Sequence, residues 1–189
     1  MLRPTDYRRL FSRGAELVEM ASQPIIRTWQ SFTLIELLTV VAIIGLLTGI
    51  GIPALSAFNR RQTLTQATKN LKTDLRAARS QAISGVDGKR WGIHLAQGAN
   101  NYEIFFTTSF AYVSSGQIEV LPSGVTITAI QVGGVLQTPA NVIFDRLTGT
   151  VSIRDNVGNS LGSDIRITLT LSGTNRYVRV DAGGKIYEQ

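Results

Sequence analysis

One acidic residue, Glu36, lies near the start of a long apolar stretch, where a carboxylate needs a compensating partner. An ionised carboxylate at mid-bilayer costs about 2.5–3.5 kcal/mol, and less near the end of a span. If the chain is cut between Ser31 and Phe32, the new amine of Phe32 lies close to Glu36 in sequence. An amine and a carboxylate attract strongly at low dielectric, which offsets their desolvation. The spacing therefore predicts an ion pair, within one chain or between copies. The alternative is that the Glu36 carboxylate lies at the level of the lipid headgroups and has no role.

Side chains that carry most catalytic and metal chemistry are scarce in this chain. It has no cysteine, which excludes a disulfide framework, a thiol nucleophile and a cysteine-ligated metal site. The single histidine, His94, lies inside a predicted strand, so we expect a structural role for it. The segment 155–159 is rich in oxygen ligands, but its spacing does not match a calcium-binding EF-hand and favours a Gly-rich hairpin. We therefore expect no enzyme activity, no catalytic residue, no metal site and no cofactor.

Two helical patterns follow one another in the first half of the chain. Residues 32–52 are apolar on all faces, and a helix of that length, about 31 Å, crosses a bilayer core. Pro53 follows and would kink a continuing helix. Beyond it the apolar residues recur at helical spacing, namely Leu64, Ala67, Leu71, Leu75, Ala78 and Ala82. We predict one long helix over 32–84, with a transmembrane or filament-core part at 32–52 and a stem at 53–84.

The remaining residues, 85–189, alternate apolar and polar side chains between Gly-rich turns. The pattern predicts short strands at Arg90–Ala96, Tyr102–Thr107, Gln117–Leu121, Val125–Gln131, Asn141–Asp145, Thr150–Arg154, Asp164–Leu171, Arg176–Asp181 and Lys185–Tyr187. Many short strands with tight turns indicate an antiparallel β-domain, one face of which the apolar stripe of the stem would cover. The predicted fold class is α+β, with a long N-terminal helix packed on a C-terminal antiparallel β-domain.

The excess of basic over acidic residues is unevenly distributed along the chain. The net charge is +6 and the pI is about 10.1, values that invite a nucleic-acid partner. However, residues 1–31 carry a net +2 and residues 57–83 a net +5, whereas residues 84–189 are neutral. The excess therefore points first to a stem near lipid headgroups or acidic partner subunits, and only weakly to DNA.

The apolar stretch and its flanks resemble the N-terminal signature of type IV pilins and type II secretion pseudopilins. The signature is a Phe-Thr-Leu-Ile-Glu opening, about twenty apolar residues and a closing proline, here FTLIELLTVVAIIGLLTGIGIP. The stem is similar to that of minor subunits of the FimT/GspH type, at Leu75, Ala78, Arg79, Ala82 and Ile83. The resemblance covers residues 31–84 strongly and the β-domain weakly.

The resemblance implies a processed and assembled subunit. Residues 1–31 would be a leader that a prepilin peptidase removes after Ser31, where the family usually has Gly, and Phe32 would become the N-methylated first residue. The residues that would serve assembly are Thr33, Leu34, Ile35 and Glu36. Among them, Glu36 would pair with the amine of an adjacent subunit. Pro53 matches the kink position of such helices.

The resemblance also implies partners and a location. The partners are other pilins or pseudopilins in a filament or tip complex, the prepilin peptidase, an inner-membrane assembly platform, and membrane lipid before assembly. The subunit would be a single-pass protein of the inner membrane with a periplasmic β-domain, and part of a filament after assembly.

Several alternatives stay open at this stage. The sequence does not separate a secretion pseudopilus from a pilus or competence system. A DNA-uptake pilin would use basic residues near the C-terminus, for which the candidates are Arg176, Arg179 and Lys185. An ordinary secretory signal cleaved near Ala57 would have a shorter apolar region. The last alternative is a single-span membrane protein with a β binding module that does not polymerise.

Overall fold

The computed structural model describes residues 32–114 and 116–189. The predicted leader, residues 1–31, and with it Ser31, lies outside the described residues. The chain divides into two compact units, one ending at Thr48 and the other formed by Gly49–Gln189.

A single helix, α1, runs from Leu34 to Ser84. It begins two residues later than predicted because Thr33 serves as its cap: the Thr33 hydroxyl accepts a hydrogen bond from the backbone amide of Glu36 at 3.3 Å. It continues through Pro53. It ends at Ser84, and the next residue, Gly85, has a positive φ of 66°, as suits a glycine that terminates a helix. A short 3₁₀ turn, Val86–Gly88, leads into the strands.

Eleven strands form two antiparallel sheets within the described part of the chain. The first sheet has the order β3-β2-β1-β6-β7-β8, with strands β1 Arg90–Leu95, β2 Asn101–Thr107, β3 Gln117–Val120, β6 Ala140–Phe144, β7 Val151–Arg154 and β8 Ser160–Gly162. The second has the order β11-β10-β9-β4-β5, with strands β4 Thr126–Val132, β5 Val135–Leu136, β9 Ile165–Leu171, β10 Thr174–Val180 and β11 Ile186–Glu188. The predicted α+β class is therefore confirmed.

All nine predicted strands are present, with ends shifted by one or two residues, and two short strands were not predicted. Strand β5 pairs with β4 across the two-residue turn Gly133-Gly134, where both glycines have positive φ, as a type I′ hairpin requires. Strand β8 pairs with β7 but contains only one large apolar residue, Leu161. Neither strand therefore displays a period of two.

The core joins the stem to both sheets. The predicted stripe is confirmed: Leu64, Ala67, Leu71, Leu75, Ala78 and Ala82 are each 0% exposed. They belong to one apolar cluster with residues such as Ile93 and Phe144 of the first sheet and Ile167 and Val178 of the second. Burial of a leucine or isoleucine side chain contributes about 1.5–3 kcal/mol. This cluster therefore holds the stem against the β-domain.

Candidate assembly surface

The start of α1 brings four of the predicted assembly residues together. Thr33 caps the helix, Leu34 begins it, and Ile35 and Glu36 follow in its first turn. Thr33 and Glu36 have the spacing of a capping box, in which a hydroxyl binds the amide three residues later. A carboxylate in the first turn also interacts favourably with the helix dipole. Phe32 precedes the cap and is exposed, and Pro53 lies several turns further along α1.

The first part of α1 presents apolar side chains on every face. From Leu34 to Leu47 its large apolar residues are 44–80% exposed. The hydroxyls of Thr39 and Thr48 donate to the carbonyls of Ile35 and Ile44, at 2.8 and 2.7 Å, so they do not need water. Among the described residues, α1 is the one helix whose length and composition suffice to cross a membrane. An exposed apolar surface of this extent marks contact with lipid or with other protein chains.

The basic residues of the stem divide into two groups. Lys69 and Arg76 are exposed, as the charge pattern predicts for residues near headgroups or partners. Lys72 and Arg79 instead bind the β-domain: the Lys72 amine lies 3.3 Å from a carboxylate oxygen of Glu188. Only part of the basic excess is therefore available to a partner.

Arg79 has a structural role that the sequence analysis missed. Its Nε donates to the Gly149 carbonyl at 3.2 Å, and its Nη2 donates to the Gly183 carbonyl at 3.1 Å. Gly184 must be glycine there, because a Cβ atom would lie 2.3 Å from the Gly149 oxygen and φ is +76°. Two features of the sequence could have predicted this role. Arg79 lies on the same side of the stem as Leu75 and Ala82, and two Gly-containing turns follow much later in the chain.

The three candidate DNA contacts do not form one basic surface. Arg176 and Arg179 are three residues apart on β10, so their side chains leave opposite faces of the sheet. Arg176 lies 3.7 Å from Glu188, and Arg179 donates to both oxygens of Asp164 at 3.0 and 2.8 Å. The Asp164 carboxylate raises the pKa of Arg179 further.

Lys185, the third candidate, lies in the turn before β11. Its backbone amide donates to Asp181 at 2.8 Å, and this bond is the main reason why the pKa of Asp181 falls below its usual range.

The histidine and the Asp155 loop have internal partners. The His94 ring stacks on Tyr112 with 4.1 Å between centroids, and its Nδ1 lies 2.7 Å from the Asn141 side-chain oxygen. Asp155 accepts hydrogen bonds from the side chain of Asn159 and from three backbone amides, and these bonds lower its pKa. This loop closes the hairpin of β7 and β8, as predicted. Within residues 32–114 and 116–189 no group of three acidic or histidine side chains is placed to hold a metal ion.

Comparison with known proteins agrees with this arrangement. No family profile matches the chain, and no solved structure matches it. Two curated proteins of Pseudomonas aeruginosa, each named a fimbrial protein, are 30% identical to it over 147 residues, which cover 77% of this chain and 80% of theirs. Such similarity extends well beyond the apolar segment into the β-domain. The chain therefore belongs to the fimbrial protein, or pilin, family.

Proposed function

We propose that the chain is a minor pilin or pseudopilin of the FimT/GspH type, a structural subunit of a type II secretion pseudopilus or a type IV pilus. One observation carries the proposal: α1 is apolar and exposed on all faces from Leu34 to Leu47, and the only charged residue of that segment, Glu36, lies in the first turn. A soluble domain would leave such a surface uncovered, whereas lipid before assembly and neighbouring helices after assembly would cover it.

Processing is the second part of the proposal. A prepilin peptidase cleaves between Ser31 and Phe32, and the methylated amine of Phe32 becomes the first group of the mature chain. Because α1 begins only at Leu34, Phe32 lies outside the helix, and it is 75% exposed. Mass spectrometry of the mature chain tests this step: a start at methylated Phe32 is expected, and a start near Ala57 would contradict it.

The assembly role of the first turn is the third part. Glu36 pairs with the terminal amine of an adjacent subunit, and residues 33–35 keep that carboxylate in register. The subunit enters the inner membrane with its β-domain in the periplasm, and an assembly platform moves it into the filament. Protease treatment of spheroplasts tests the orientation, since complete protection of the β-domain would overturn it.

Substitution of Glu36 separates assembly from simple membrane anchoring. We expect Glu36→Ala to reduce co-purification with other pilin subunits by at least about tenfold, because a buried ion pair loses one partner. Thr48→Ala is the matched control, since it removes a polar group from the same segment without removing a charge. Unchanged co-purification of Glu36→Ala would favour a single-span protein that does not polymerise.

A further inference from the structure

A groove runs beside the stem, between α1 and the edge strand β3. It contains a cavity of about 220 Å³, lined on the helix side by Asn70, Thr73 and Asp74 and on the sheet side by Glu119, Val120 and Pro122. Strand β3 ends the first sheet, so no further strand covers this side of the cavity within the described part of the chain. The groove is thus open to a second molecule.

Two carboxylates in this groove have polar neighbours but no cationic partner among the residues that the structure describes. Asp74 accepts a hydrogen bond from the Tyr102 hydroxyl, and Glu119 accepts one from the Gln117 side chain. Among residues 32–114 and 116–189, neither forms an ion pair. Beside them Val120 is 69% exposed. The surface therefore combines negative charge with an uncovered apolar side chain.

The stem carries the complementary set of groups just before it meets the β-domain. Leu55, Phe58 and Arg61 are spaced three residues apart and so share one face of α1. Leu55 and Phe58 lie away from the buried stripe that begins at Leu64, whereas Arg61, one turn before Leu64, lies beside it. Phe58 is 62% exposed, and Arg61 is exposed with no ion pair in the described residues. An apolar side chain and a cation on the stem would complement the exposed apolar side chain and the two carboxylates of the groove.

We propose that this groove binds the stem of a second copy of the chain, with Arg61 of one copy between Asp74 and Glu119 of the other. The inference rests on the proposed function, because copies inserted in one membrane orientation present parallel helices. In a parallel arrangement, Arg61 level with Asp74 places Phe58 level with Leu71, next to Asn70 of the groove, whose lining residues Val120 and Pro122 supply apolar contacts. The two copies are then staggered by thirteen residues, or about 20 Å along the helix.

This contact joins two different surfaces, so it repeats instead of closing on itself. Each copy offers its groove to one neighbour and its stem to another. Such heterologous contacts generate helical filaments unless the rotation between copies closes a ring. The groove would thus add a lateral contact in the β-domain to the contacts made by the apolar part of α1.

Cysteine cross-linking tests the contact directly, because the chain has no cysteine of its own. One tagged full-length copy carries Gln62→Cys, and a second copy carries Thr73→Cys; both positions are exposed. Co-expressed in cells that assemble the filament and treated with a short bismaleimide, the mixed pair is expected to give at least about tenfold more heterodimer than Gln62→Cys paired with Val157→Cys. One chain that carries both cysteines is expected to give a ladder of multimers.

Charge reversal supplies the second measurement. Arg61→Glu on the Gln62→Cys copy is expected to lower the heterodimer yield about tenfold, and Glu119→Arg on the other copy is expected to recover it. Equal yields for the Thr73 and Val157 pairs, or no effect of Arg61→Glu, would overturn the groove contact. If either result is found while co-purification with other pilins still depends on Glu36, the proposed function stands and only this inference fails. A cross-link that forms without any dependence of assembly on Glu36 would instead contradict the proposed function alone.

Discussion

The two parts of α1 use the same backbone geometry for opposite purposes. Between Leu34 and Leu47 every face is apolar and large side chains stay 44–80% exposed, whereas the six stripe residues from Leu64 to Ala82 are 0% exposed. The second part has one apolar face and a pair of sheets that covers it, whereas no residue among 32–114 and 116–189 buries the large apolar side chains of the first part. The difference shows that hydrophobicity alone does not locate a core. A narrow stripe is buried within its own chain, while an all-round apolar surface requires another molecule or lipid.

The largest expected effect is the loss of a stripe residue. Leu71→Ala is expected to lower the free energy of unfolding of the β-domain by about 2–5 kcal/mol, because it leaves a cavity in a fully buried site. The matched change Leu38→Ala is expected to leave that free energy unchanged within about 0.5 kcal/mol. Chemical denaturation of the full chain in detergent, followed by near-UV circular dichroism, measures both. Equal losses for the two variants would break the contrast between the two parts of α1.

The second comparison is between two basic residues of the stem, Arg79 and Arg76. Arg79→Ala removes the hydrogen bonds to the carbonyls of Gly149 and Gly183, and we expect a loss of about 1–3 kcal/mol. Arg76→Ala, three residues earlier and exposed, is expected to stay within about 0.5 kcal/mol of the parent chain. The same denaturation experiment compares them. A loss at Arg76 as large as that at Arg79 would show that stem charge, and not the two turn contacts, provides the stability.

Tyr102 gives the attachment of the stem a dependence on pH. Burial, and then the hydrogen bond and charge of Asp74, raise the pKa of Tyr102 above its ordinary value of 10.0. Because the folded-state pKa is the higher one, this contribution to stability is complete below pH 10 and is lost as the pH rises above it. We expect the free energy of unfolding to fall above pH 10, and Tyr102→Phe to flatten that decline. Tyr187→Phe, at an exposed tyrosine, is the control, and an equal flattening there would refute the assignment.

The period of the apolar residues explains what could be predicted and what could not. The stripe from Leu64 to Ala82 and nine of the strands followed from spacing alone, because burial selects one face of each element. Strand β5 was not predicted because two residues carry no period, and β8 was not predicted because Leu161 is its only large apolar residue. That Arg176 and Arg179 leave opposite faces was readable from their odd separation on a strand.

The contacts of the site depended on distances that no local pattern contains. Arg79 binds turns at Gly149 and Gly183, far away in the sequence, and the groove at Asp74 and Glu119 exists only once β3 lies beside the stem. The cap at Thr33 was visible in principle, since Thr33 and Glu36 have the capping-box spacing. It was not predicted, because the predictions for Glu36 concern its carboxylate, whereas the cap binds its backbone amide.

The smallest expected effect on stability concerns that cap, at the far end of the exposed part of α1. Thr33→Ala removes the acceptor for the Glu36 amide, which costs about 0.5–2 kcal/mol locally at a helix end. The free energy of unfolding of the β-domain should not change, since Thr33 is not part of the core cluster. Hydrogen exchange at the Glu36 and Leu37 amides should accelerate. Because a frayed first turn would misplace the carboxylate, co-purification with other pilins should fall, though less than in Glu36→Ala. Thr33→Ser, which keeps the hydroxyl, should restore both readouts; if it restores exchange but not co-purification, the Thr33 methyl group and not the cap serves assembly.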